Sequence, residues 1–91
     1  MNDISPEQSL IEYPSRFPIK VMGLNADGFA ESIARVALQF DPGFDPASIE
    51  QRASRGSTYL GLTITVTATS REQLDELYRT LSTHPLVKVV L

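Results

Sequence analysis

Apolar and polar residues alternate along Arg16-Phe17-Pro18-Ile19-Lys20-Val21-Met22, with Phe17, Ile19 and Val21 on one parity. A period of two predicts a half-buried strand. Pro18 lacks a backbone donor, which sets the expected start of regular pairing at Ile19. The next six residues, Gly23-Leu24-Asn25-Ala26-Asp27-Gly28, read as a turn. Phe29, Ile33, Val36, Ala37 and Phe40 then draw one apolar stripe at helical spacing, so a helix is predicted over about Asp27–Phe40. Asn25 or Asp27 can cap its start. Glu31 and Arg35 stand four apart in the favourable order for an ion pair, and Asp41-Pro42-Gly43 ends the helix.

The second half repeats the theme. After a loop at Phe44-Asp45-Pro46-Ala47, Ser48–Ala53 reads as a weaker, polar strand anchored by Ile49, and Ser54-Arg55-Gly56-Ser57 is a turn signal. Thr58–Thr69 gives the clearest alternation in the chain. Leu60, Leu62, Ile64, Val66 and Ala68 face one way, while Tyr59, Gly61, Thr63, Thr65 and Thr67 face the other. One side is core and the other is wet or covered by a partner. Ser70-Arg71-Glu72-Gln73 is a capping box, with the Ser70 hydroxyl on the Gln73 amide and the Gln73 side chain reaching back. It opens a helix whose stripe is Leu74, Leu77, Tyr78 and Leu81. Ser82-Thr83-His84-Pro85 breaks that helix, and Leu86-Val87-Lys88-Val89-Val90-Leu91 reads as a closing strand.

The element order is therefore β-α-β-β-α-β. Right-handed crossovers leave one economical arrangement, a four-stranded antiparallel sheet in spatial order 4-1-3-2 with both helices on one face. This is the α+β, ferredoxin-like sandwich. It is expected to occupy residues 16–91 as a single domain behind a partly flexible leader over residues 1–15, where Leu10, Ile11 and Tyr13 form a short apolar cluster.

Composition narrows the chemistry. The chain has 91 residues, 42% hydrophobic and 21% charged, with a formal charge of −3. That suits one globular domain and disfavours a disordered tail. There are no cysteines, which removes disulfides, thiolate metal ligands and Cys nucleophiles. The apolar runs are short for a membrane span, and the polar, acidic start lacks a signal-peptide pattern. A cytoplasmic protein without cofactor is expected, in contact with neither membrane nor nucleic acid. An acidic balance repels polyphosphate, and the threonine-rich open face lacks the stacking aromatics of RNA-binding sheets.

Five blocks carry a family resemblance. Tyr13-Pro14-Ser15-Arg16-Phe17-Pro18-Ile19-Lys20-Val21-Met22-Gly23, Ser54-Arg55-Gly56-Ser57-Thr58-Tyr59, Glu72-Gln73-Leu74, Leu77-Tyr78 and the ending Val87–Leu91 resemble the small YbeD-type proteins over roughly residues 10–91. The resemblance implies a bacterial cytosolic protein of undefined function. It also implies a fold similar to the amino-acid-sensing ACT domains that regulate metabolic enzymes. Some members of the family sit near lipoate-attachment genes. No catalytic residue is implied.

Three places are candidates for function. Gly23, Asn25, Asp27 and Gly28 form a loop similar to ACT ligand loops. There, bare amides at a helix start would hold the carboxylate of a small acid or amino acid, and Asp27 an ammonium. An ordinary turn with an Asp cap is the competing account. Arg52, Arg55 and Ser57 suit a small anion, against a solvated hairpin tip. Met22, Thr63, Leu86, Lys88 and Val90 would share the helix-free face if Val87, Val89 and Leu91 follow core parity, giving a patch for a protein partner or a second copy. The competing account is a leader that covers the edge or the open face with the segment around Leu10–Tyr13. His84, the single histidine, is read as a helix-end residue near the negative pole of the preceding turn. Glu72, Asp75, Glu76 and Arg79 read as a solvated face with Asp75–Arg79 as a local pair. With no carboxylate pair in an apolar pocket, acid–base catalysis has no candidate. The favoured expectation is a non-catalytic regulatory or adaptor module, with a small-molecule sensor as the alternative.

Overall fold

A computed structural model describes residues 12–91. Leu10 and Ile11 of the expected leader lie outside the described residues. The elements are β1 (Ser15–Leu24), α1 (Phe29–Phe40), β2 (Glu50–Ala53), β3 (Tyr59–Ala68), α2 (Arg71–Ser82) and β4 (Val87–Val90), with short 3-10 turns at Pro46–Ser48 and Arg55–Ser57. The sheet order is β2-β3-β1-β4, and every pairing is antiparallel. Both helices cover one face. The molecule is a ferredoxin-like βαββαβ sandwich.

β1 and β3 are paired at all ten positions, from Ser15 opposite Ala68 to Leu24 opposite Tyr59. β1 thus starts four residues before the Ile19 expected from Pro18. The Lys20 and Leu24 amides donate to Leu91 O at 3.1 Å and Leu86 O at 2.9 Å, so even-numbered amides of β1 point towards β4. Pro18 shares that parity, but no described residue of β4 lies opposite it. The ring therefore displaces no ladder bond.

Ile19, Val21, Leu62, Ile64 and Val66 are fully buried beneath Phe29, Ile33 and Ala37 of α1 and Leu74, Leu77 and Leu81 of α2. Full burial of such side chains contributes about 1.5–3 kcal/mol each before entropic costs. Phe44, read from sequence as loop, also enters the core, with 4% of its surface exposed.

The helix starts differ from expectation. α1 begins two residues later than predicted, with Gly28 at the N-cap in the left-handed region (φ 82°) and no side-chain cap. Asn25 and Asp27 do not cap it. The Asn25 side chain instead donates to Ser57 O at 3.0 Å, tying the β1–α1 loop to the β2–β3 turn. At α2 the Gln73 amide donates to Ser70 Oγ at 3.0 Å, as the capping box requires. The reciprocal half of the box is displaced by one residue: Gln73 Oε1 accepts from the Thr69 amide rather than that of Ser70, while Nε2 donates to Phe40 O and Thr67 O.

Gln73 works beside Asp41, a buried carboxylate. Asp41 Oδ1 accepts from the Gly43 amide at 3.0 Å and Oδ2 from the Thr67 amide at 2.9 Å. β2 ends its pairing at Glu50 opposite Thr63, so the main-chain groups of Thr65 and Thr67 lie along an edge without a strand. Asp41 and Gln73 take over at Thr67, and Arg16 reaches Thr65 O at 3.4 Å. Side chains thereby close a stretch of β3 that would otherwise invite another chain.

Asp41→Ala leaves two amides without acceptors and is expected to lower unfolding free energy by about 2–3 kcal/mol, with Asp41→Asn costing less. Urea denaturation of the two variants checks the order.

Candidate functional site

The register of the sheet decides what the helix-free face presents. β1 contributes Arg16, Pro18, Lys20 and Met22, and opposite them β3 contributes Thr67, Thr65, Thr63 and Gly61. On β2, Glu50 lies opposite Thr63 and Arg52 opposite Gly61, which brings both to the same face. On β4, Val90 pairs with Val21, Val89 with Met22, and Val87 with Gly23. One step along β1 thus matches two along β4, and Lys88 is the extra residue of a β-bulge.

The bulge corrects the expected patch. Met22 and Thr63 face out as predicted, and Lys88 is exposed. Val90, however, lies opposite the buried Val21 and packs with Leu86 and Val87 against the core. Val89 and Leu91 take the outward positions instead, because the inserted residue reverses side-chain parity along β4.

The result is a shallow concavity of about 760 Å³ between Lys20–Met22, Glu50–Ser54, Tyr59, Gly61–Thr63, Val89 and Leu91. Its floor dips at Gly61, which has no side chain to fill the space between Met22 and Arg52. The four exposed large hydrophobic residues among the described positions are Met22 (46%), Tyr59 (40%), Val89 (45%) and Leu91 (73%), and all four line it. Exposed apolar side chains are ordinarily scattered over a surface, whereas these four are gathered in one place.

The β1–α1 loop is arranged around its own chain. Gly23 is buried inside β1 rather than bare at the turn. A Cβ there would collide with Leu86 O and lie 2.6 Å from Phe29 Cζ. The glycine permits close approach of β4 and α1. The Asn25 amide donates to Thr58 O, the Ala26 amide to Leu24 O and the Phe29 amide to Ala26 O. Asp27 and Gly28 are exposed. Of the anion candidates, Arg52 lines the concavity, while Arg55 and Ser57 stand at the hairpin tip outside it. Ser57 carries a positive φ of 61° and gives its carbonyl to Asn25.

His84 has a more defined position than a helix end. Its Nδ1 accepts from the Leu86 amide at 3.1 Å, and Nε2 lies 2.6 Å from Ser32 Oγ on α1. An acceptor at Nδ1 places the proton of the neutral ring on Nε2, which then donates to Ser32. In this geometry His84 has no lone pair with which to take the Ser32 proton. Its ring also lies against Phe29, with centroids 6.2 Å apart. The sequence offers no signal for this link, since Ser32 and His84 meet only through the packing of α1 on the α2–β4 turn.

On α2, Arg79 pairs with Glu76 at 2.6 Å and Asp75 with Arg71 at 3.3 Å, in place of the expected Asp75–Arg79 pair. Glu31 and Arg35 form no ion pair. Burial pushes the Tyr78 phenol above its ordinary value of 10.0. Among the described residues, no cluster of His, Asp and Glu has the makings of a metal site, and no helix is long and apolar enough to cross a membrane.

A family profile described as a protein of unknown function (DUF493) matches residues 8–91. The chain belongs to this family. A UPF0250 protein of Leptothrix cholodnii is 68% identical to it over the full length of both chains. A UPF0250 protein of Bordetella pertussis is 66% identical over the same span. A third, from Ralstonia nicotianae, is 63% identical over 94% of this chain and 89% of its own. The fold is similar to the solution structure of protein HP0495 from H. pylori, with a TM-score of 0.75 over 100% of this chain and 98% of that one. At 13% identity this likeness speaks for the fold alone. The small bacterial family implied by the sequence blocks is the one found.

Gly23→Ala is expected to lower stability by about 1–3 kcal/mol by forcing β4 away from β1. Urea denaturation together with faster amide exchange at Lys20 and Leu24 checks it. The partly buried Tyr78 phenol contributes stability that is fully present below about pH 10 and is lost as pH rises through its raised folded value. Stability measured from neutral to strongly alkaline pH should fall less steeply in Tyr78→Phe than in wild type.

Proposed function

We propose that this protein is a non-catalytic regulatory or adaptor module that contacts a protein partner through its helix-free sheet face. One observation carries the reading: Met22, Tyr59, Val89 and Leu91, the exposed large apolar side chains among the described residues, all line the same concavity. A rigid sheet held by a fully paired β1–β3 ladder offers such a surface without reorganisation, which favours binding by lowering its entropic cost. The fold similar to ACT domains that the sequence blocks imply is in keeping with a regulatory role. The alternative sensor role at Gly23, Asn25, Asp27 and Gly28 draws less support, because Gly23 is packed shut and Asn25 is engaged with Ser57.

The test uses the full-length protein as bait in a lysate of its native bacterium, beside Met22→Asp/Val89→Asp and a helix-face control, Arg35→Asp. Wild type and the control are expected to retain the same co-purifying protein, and the double variant to lose it while keeping its melting temperature within a few degrees. Retention by the double variant, or a partner-free wild type across growth conditions, overturns the reading.

A further inference from the structure

The open face differs in charge from the rest of the molecule. Arg16, Lys20 and Arg52 lie on it against one acidic side chain, Glu50, although the chain as a whole carries −3. Lys88 stands exposed at the bulge of the bordering strand. The helix layer is nearly balanced, with Glu31, Glu72, Asp75 and Glu76 against Arg35, Arg71 and Arg79. The open face therefore carries a local cationic surplus that the helix face lacks.

The cations also differ in how they are used. Arg16 is tied down on Thr67 Oγ1 and Thr65 O, and Arg79 on Glu76. The Lys20 and Arg52 side chains have no hydrogen-bond or ion-pair partner among the described residues, and both line the concavity beside Met22, Tyr59, Val89 and Leu91. Unengaged cations bordering exposed apolar side chains complement a ligand that carries both features. A neutral apolar ligand would leave these charges partly desolvated without compensation. A polyanion such as nucleic acid would gain nothing from the apolar floor.

From this complementarity we infer that the partner segment recognised by the open face is an extended acidic peptide with interspersed aliphatic or aromatic residues. Its apolar side chains seat over Gly61 beside Met22 and Val89, and its carboxylates meet Lys20 and Arg52. The inference rests on the proposed function and adds to it the chemical class of the partner. Opposite charges at such a border raise the association rate and select the partner, while the apolar contacts supply retention.

The test presents a displayed library of short random peptides to the immobilised full-length protein at low salt. Three baits are compared: wild type, Lys20→Glu/Arg52→Glu, and Met22→Asp/Val89→Asp. Wild type is expected to enrich peptides combining Asp or Glu with Leu, Ile, Val or Phe. The charge-reversed bait should shift enrichment towards Lys and Arg, and the third bait should enrich none of them. The affinity of a winning acidic peptide should fall at least about ten-fold on charge reversal, and fall again with added salt. Enrichment without acidic bias that Met22→Asp/Val89→Asp still abolishes overturns the acidic class and leaves the contact face standing. No enrichment by wild type overturns both. Sedimentation of the free wild type gives the remaining outcome. A dimer that Met22→Asp/Val89→Asp dissolves makes a second copy the occupant, and it too overturns the inference.

Discussion

The ten-position ladder between β1 and β3 is the constraint on which the rest of this molecule depends. It runs without a register break from Ser15–Ala68 to Leu24–Tyr59, so side-chain parity is fixed along both central strands at once. Phe17, Ile19 and Val21 must then share a side with Leu62, Ile64 and Val66, and the helices have only that side on which to bury their stripes. The opposite side follows by exclusion, with threonines, a glycine, cations and Met22. Neither face was free to be otherwise once the ladder closed.

The outer strands are short, and their ends are managed by other means. Beyond Thr63, where β2 stops, Asp41 and Gln73 occupy the main chain of Thr67 and link it to the end of α1 and the start of α2. At Pro18, where no described residue of β4 pairs with β1, the ring presents no donor on that side. At β4 the bulge at Lys88 interrupts regular pairing and places a charge on the edge. These three devices discourage addition of another strand at those borders of the sheet.

The open face gains its character from the same irregularity. Without the extra residue at Lys88, Val90 would face out and Val89 and Leu91 would face the core. With it, Val87 and Val90 both pack inward across a three-residue interval, and Val89 and Leu91 join Met22 and Tyr59. A single inserted residue therefore assembles the apolar part of the concavity, beside cations whose positions the regular part of the sheet had already set. The loop at Gly23–Gly28, by contrast, is consumed by architecture: its buried glycine admits Leu86 and Phe29, and its asparagine holds the neighbouring turn.

What the residues alone determined was local and periodic. The alternation through Arg16–Met22 and Thr58–Thr69, the stripes on both helices, the breakers at Pro42-Gly43 and His84-Pro85, and the Ser70 cap depend on neighbours within a few positions, where backbone geometry converts spacing directly into direction. Strand order followed from the handedness of two crossovers. Tertiary structure alone decided which side of β4 faces outward, where Asn25 and Gln73 spend their amides, why Asp41 is buried, and that Ser32 meets His84. Each of those outcomes depends on groups far apart in the chain competing for the same partner or the same space, and no local pattern records which one prevails.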